Sequence, residues 1–143
     1  MRYCRVVPLS EEYDSMPTWS EIQEYARSKY ELSEDKENSF KLVFEYQNDR
    51  LQAVIVSLFE AMGREWVDFA SACCKREELE PEEALARNFG FAVGALCLDD
   101  DVYVVRYSVQ LDTMDMEEFE LPLHVVARTA DKLEQEITGK DEF

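Results

Sequence analysis

The chain is poor in the residues that build most small active sites. It holds one histidine, His124, and four each of glycine, proline and cysteine among 143 residues. A Ser-His-Asp or Cys-His centre would have a single possible base, and no local signature surrounds it. No Gly-x-Gly-x-x-Gly stretch, P-loop or nucleophile elbow is present. Bases are also few. Fifteen Lys and Arg face 32 Asp and Glu, for a formal net charge of −17. Such a field repels phosphate backbones and anionic bilayers, so neither nucleic acid nor membrane is expected as a partner. No apolar run approaches the roughly 20 residues needed to span a bilayer. Met1 to Pro8 lacks the apolar core of a signal peptide. The cysteines, Cys4, Cys73, Cys74 and Cys97, form no C-x-x-C pair. They read as free thiols of a reducing, cytoplasmic compartment. Cys73 and Cys74 are adjacent in a strand-like run and are expected to point to opposite faces.

What the chain does have is a core. Hydrophobic residues make up 46% and aromatics 12%, enough for one domain without staples. Residues 1–16 read as an N-terminal extension, with an extended piece at Tyr3–Leu9 and a loop at Ser10–Ser15; the core is expected over 17–138. Thr18 and Glu21 form a capping box for a first helix, 18–30, with Trp19, Ile22 and Ala26 on one face. Glu34–Asn38 reads as a charged loop. Phe40, Leu42, Phe44 and Tyr46 alternate as a strand, and Asn48-Asp49 suits a tight turn. The strand at 51–61 is apolar on both faces, as in a sheet covered on both sides. A third strand, 66–74, puts Val67, Phe69, Ser71 and Cys73 on one face. Pro81 opens a short helix, 81–90, with Ala84, Leu85, Asn88 and Phe89 expected on one face. A strand at 95–98, a turn at Asp99–Asp101 and a strand at 102–111 follow. Asp115 and Glu118 start a last helix that Gly139 closes, and Pro122 is expected to kink or restart it. The order α-β-β-β-α-β-β-α predicts an α+β fold with a largely antiparallel, five-stranded sheet packed by helices.

Few residues invite a chemical reading. His124 has only Glu120 at helical ligand spacing, and a pair is too few for zinc. Asp99-Asp100-Asp101 lacks the glycine and glutamate of a calcium loop. No metal, cofactor or catalytic residue is assigned, and the chain is expected to be no enzyme. Arg106, inside an apolar strand, needs solvent or an acid. It fits an open sheet face where it is solvated or paired, or a face kept for a partner. Apolar residues on both faces of the sheet exceed what three helices easily cover, which suggests an interface unless helix 81–90 covers the second face.

The strand Trp66–Ala72, the helix with Leu85, Asn88 and Phe89, the hairpin Gly94–Ser108 and the ending Val125–Leu133 together resemble the type III secretion chaperones and the related YbjN-like proteins of bacteria. The resemblance spans most of 18–138. It departs at 1–16, since the secretion chaperones begin near their first helix; this favours the YbjN-like branch. It implies a non-catalytic homodimer that binds an extended segment of a client protein. The implied dimer interface is Leu85, Phe89, Val102, Val104, Arg106 and Ser108. The implied client surface is Trp19, Ile22, Val54, Val56, Leu58, Trp66 and Phe69. A second reading of the acidity is an immunity or inhibitor protein that caps a basic partner.

Overall fold

The computed structural model describes residues 16–143. The expectations for Tyr3–Leu9, Ser10–Ser15 and Cys4 lie outside the described residues. Helix α1 (Trp19–Lys29) is followed by strands β1 (Leu32–Lys36), β2 (Ser39–Glu45), β3 (Leu51–Ala61) and β4 (Arg64–Lys75). Helix α2 (Pro81–Asn88), strands β5 (Ala95–Asp99) and β6 (Val102–Gln110) and helix α3 (Met116–Ile137) complete the α+β fold. The sheet has the order β1-β2-β3-β4-β6-β5, and every pair is antiparallel.

Local chemistry explains most of these elements. Thr18 Oγ1 accepts the Glu21 N–H while Glu21 reaches back to the Thr18 N–H, and Asp115 with Glu118 repeats the device at α3. The β3–β4 hairpin turns on Met62 and Gly63, with φ of 53° and 70°. Positive φ at both central residues is what matches a two-residue turn to strand twist. Asp49 and Asp100 take the same left-handed region in the other turns.

One face of the sheet carries the core. Phe40, Leu42, Val54, Val56, Val67, Phe69, Tyr103 and Val105 are buried there against Trp19, Ile22 and Ala26 of α1 and Phe119, Leu123, Val126, Ala127 and Ala130 of α3. Phe119 is the hub, with ring centroids 6.4 Å from Phe40 and 5.8 Å from Phe69.

The structure corrects the sequence reading in five places. The sheet has six strands, because the charged segment after α1 is an edge strand, not a loop. Its side chains at Ser33–Lys36 are all exposed, so no period-2 apolar pattern marks it. Charge on an edge also discourages pairing with other chains. β3 is covered on one face only: Val54 and Val56 are buried while Ile55 is exposed. Helix α2 does not cover the second face. Its Arg87 reaches Glu136 of α3 at 3.5 Å, which places it on the helical side. The face expected on α2 splits, since Ala84 is buried but Leu85 is 71% and Phe89 98% exposed. Finally, Cys73 and Cys74 do not point to opposite faces. The register between β4 and β6 shifts between Ala72 and Cys74, so Cys73 is the extra residue of a bulge. Both thiols are buried, with sulfurs 3.9 Å apart, and burial pushes both thiol pKa values up. Pro122 sits inside α3, which runs through it without restarting.

Candidate functional site

The face of the sheet opposite the helices carries no covering element among the described residues. Its surface is built from the alternate positions of four strands: Ile55 and Phe59 of β3, Trp66, Asp68, Ala70 and Ala72 of β4, Val104, Arg106 and Ser108 of β6, and Cys97 of β5. Antiparallel pairing sets Asp68 opposite Ser108 and Ala70 opposite Arg106. Side chains of directly opposed residues lie close enough to interact across the ladder.

At the centre sits a fixed ion pair. Arg106 Nε donates to Asp68 Oδ1 at 2.6 Å, and Ser108 Oγ donates to the same oxygen at 2.7 Å. Asp68 is 8% exposed, so its carboxylate depends on these donors. The Arg106 guanidinium also lies 5.7 Å from the Phe59 ring centroid, and Phe59 stacks on Trp66 at 6.5 Å. Trp66 is itself held by its Nε1 donating to the Ala61 carbonyl at 3.0 Å. Around this polar centre Ile55, Ala70, Ala72, Cys97 and Val104 line a shallow hollow of about 460 Å³. Arg106 thus lies on an open sheet face and is paired to an acid, the first of its two sequence readings. The arrangement offers recognition, because an anchored ion pair with unused guanidinium donors sits inside apolar surface.

The edges of the sheet are treated differently. Asn88 of α2 donates to the Leu96 carbonyl at 3.2 Å and accepts the Leu96 N–H at 2.6 Å, closing the middle of the β5 edge. Leu85 of α2 and Phe89, its C-cap, are exposed apolar residues on either side of Asn88 in the chain. Among the described residues the β1 edge has no such cap along its centre, although Gln23 Nε2 donates to the Lys36 carbonyl at 2.8 Å.

The residues assigned to a client fall mostly elsewhere. Trp19, Ile22, Val54, Val56 and Phe69 are buried in the core, so a single copy presents none of them at its surface. Their alternation marks the helix-covered face, and sequence alone does not say which of two apolar faces is covered. Leu58 is half-buried on the covered face and Trp66 half-buried on the open one. The assigned dimer residues are all at least partly accessible: Leu85, Phe89 and Arg106 are exposed, and Val102, Val104 and Ser108 are half-buried.

Two polar clusters were not legible in the sequence, because their members come together only in the fold. Glu120 of α3 accepts from Tyr25 Oη at 2.6 Å, Tyr30 Oη at 2.7 Å and Lys29 Nζ at 2.8 Å, with His124 Nε2 at 3.0 Å. Burial pushes the Glu120 pKa up, but these donors outweigh it and hold it at about 2. The cluster pins α1 to α3. The second centres on Arg50, whose Nε donates to Asp131 at 2.7 Å and whose terminal nitrogen donates to Glu134 at 3.2 Å. Asp131, Glu134 and Asp141 bring carboxylate oxygens within 4.8 Å of one another, the spacing of a cation site. Arg50 already supplies the positive charge there. Backbone N–H groups take up much of the rest: Leu51 donates to Asp141, and Glu142 and Phe143 donate to Glu134.

No protein-family model matches the chain, and no curated protein matches its sequence. Its fold is similar to that of a chain in the solved structure of the HopA1–SchA chaperone–effector complex, with a TM-score of 0.57 and 14% identity. The match covers 80% of this chain and 90% of that one. The chain thus shares the fold of a chain of that complex; the YbjN-like name has no match behind it. Among the described residues no helix is long and apolar enough to cross a membrane.

Proposed function

We propose that the protein is a non-catalytic, chaperone-like binding domain that works as a homodimer and holds an extended segment of a client protein. One observation carries this reading: an apolar sheet face with a fixed Arg106–Asp68–Ser108 centre is left without a cover, on a fold similar to a chain of a chaperone–effector complex. The dimer forms through the β5–β6 side of that face together with Leu85 and Phe89 of α2. Burying a side chain of that size is worth about 1.5–3 kcal/mol, and two copies related by a twofold axis bury each residue twice. The client's extended segment then lies along the β3 side of the same face, beside Ile55, Phe59 and Trp66, away from the charged β1 edge. The surface assigned to it from sequence moves accordingly, away from the buried core residues. The net charge of −17 suits a basic client, but capping of a basic toxin would not require an uncovered apolar face.

The test is a double variant, Leu85→Asp with Phe89→Asp, followed by sedimentation velocity. Both side chains are solvent-exposed in one copy, so the variant is expected to melt within a few degrees of the parent and to sediment as a monomer. A variant that stays dimeric would contradict the assigned interface.

A further inference from the structure

The outer side of α3 carries a feature that neither the sheet face nor the dimer uses. His124, Arg128 and Lys132 are spaced four apart and lie on one exposed stripe; Leu121 and Val125 lie beside it. Three surface hollows meet at Arg128. One, of about 430 Å³, runs between α3 and the segment after α2, with Phe91, Val93, Val125 and Leu133 as apolar wall. A second, of about 530 Å³, lies against the β2–β3 turn at Tyr46–Asn48. A smaller one between Tyr46, His124 and Val125 joins them.

The charge of this spot runs against the rest of the molecule. Acids outnumber bases 32 to 15, so a surface guanidinium is expected to find a carboxylate. Arg128 has none within ion-pair distance among the described residues and donates no hydrogen bond to protein there. Its guanidinium is stacked instead 5.1 Å from the Tyr46 ring centroid. A guanidinium over a ring keeps its N–H edges free to bond other groups. Two of the nearby acids are engaged elsewhere: Asp131 holds Arg50 at 2.7 Å, and Glu136 faces Arg87 at 3.5 Å and Lys132 at 3.9 Å; exposed Glu45 lines the second hollow without closing on Arg128. Arg87 and Lys132 are shared with Glu83 and Glu136, so Arg128 is the cation of the groove left without an acid among the described residues.

From this we infer that the Arg128 groove is a docking site for a partner peptide that presents a side-chain carboxylate flanked by apolar side chains. The planar fork of Arg128 matches a carboxylate in bidentate fashion. The hollow walled by Phe91, Val93 and Leu133 and the small one at Tyr46 and Val125 accept the flanking apolar groups. A polyphosphate backbone is disfavoured, since the molecule as a whole repels it and the hollow on the Phe91 side has an apolar wall. The site lies on the helical side of the sheet, away from the uncovered face, and its Arg87–Phe91 wall adjoins Leu85 and Phe89.

The test uses a fluorescent peptide with blocked ends and a Leu-Glu-Leu centre padded by serines, alongside its Leu-Gln-Leu counterpart, read by anisotropy on the full chain. The glutamate peptide is expected to bind about tenfold more tightly, a difference of about 1.4 kcal/mol, and to weaken with salt. Arg128→Gln is expected to erase that preference, while Glu65→Gln, an exposed acid outside the groove, leaves it intact. Equal binding of the two peptides, no binding of either, or a preference that survives Arg128→Gln would overturn the proposal. The comparison of peptides on the unaltered protein needs no variant, so the result stands whatever a substitution does to folding.

Discussion

Glu120 shows how one side chain can tie two helices. It collects donors from Tyr25, Lys29 and Tyr30 on the α1 side and from His124 one turn along α3. Its folded pKa lies below the ordinary glutamate value, at about 2. The unfolded chain therefore binds the proton more readily, and stability falls as the proton goes on. The Glu120 contribution is fully present above about pH 4.5 and is lost as pH falls through about 2. Glu120→Gln keeps the shape but removes the charge and leaves the donors poorly matched. It is expected to cost about 1–3 kcal/mol near neutral pH, and to flatten the acid limb of a pH–stability curve measured by urea unfolding. An unchanged acid limb would show that the cluster does not bear on stability. Arg50 makes a harsher case. Glu134 is 1% exposed and Asp131 8%, so Arg50→Ala leaves two buried carboxylates without their cation. A loss of about 3–5 kcal/mol is expected in the same unfolding assay.

At the scale of elements, what could be read from sequence depended on whether a pattern is local. Capping boxes at Thr18–Glu21 and Asp115–Glu118, the left-handed turn residues and the alternation of Phe40–Phe44 are local, and the structure carries each of them. β1 was missed because an edge strand with exposed Ser33–Lys36 gets its order from β2, not from its own pattern. The bulge at Cys73 was missed because bulges depend on the partner strand's register. The open face was half legible. Arg106 in an apolar strand pointed to it, but only pairing in space shows Asp68 and Ser108 beneath the guanidinium. One glycine between elements has a clear physical demand. Gly94 has φ of +78°, and a Cβ there would lie 2.9 Å from the Arg106 carbonyl oxygen. Backbone cannot yield as a flexible side chain does, so Gly94→Ala is expected to lose about 1–3 kcal/mol. Thermal unfolding measures this directly. Because the strained contact is with β6, the variant should also loosen Asp68–Arg106 and raise amide exchange along β5 and β6.

For the molecule as a whole, charge and shape pull in opposite directions. A face that presents Ile55, Phe59, Val104 and Trp66 favours self-association, while a charge of −17 on each copy opposes it. Screening shortens the reach of that repulsion to about 8 Å at physiological ionic strength. Self-association through an apolar face should therefore strengthen as salt rises, whereas a dimer held by ion pairs would weaken. The α3 groove, which relies on Arg128, should respond to salt in the opposite sense. The most direct test of the central claim is the mass of the unaltered protein in solution, measured by light scattering across a salt series. The account predicts twice the 16.7 kDa chain mass, with tighter association at higher salt. A chain that keeps its single mass at every salt and protein concentration would contradict it.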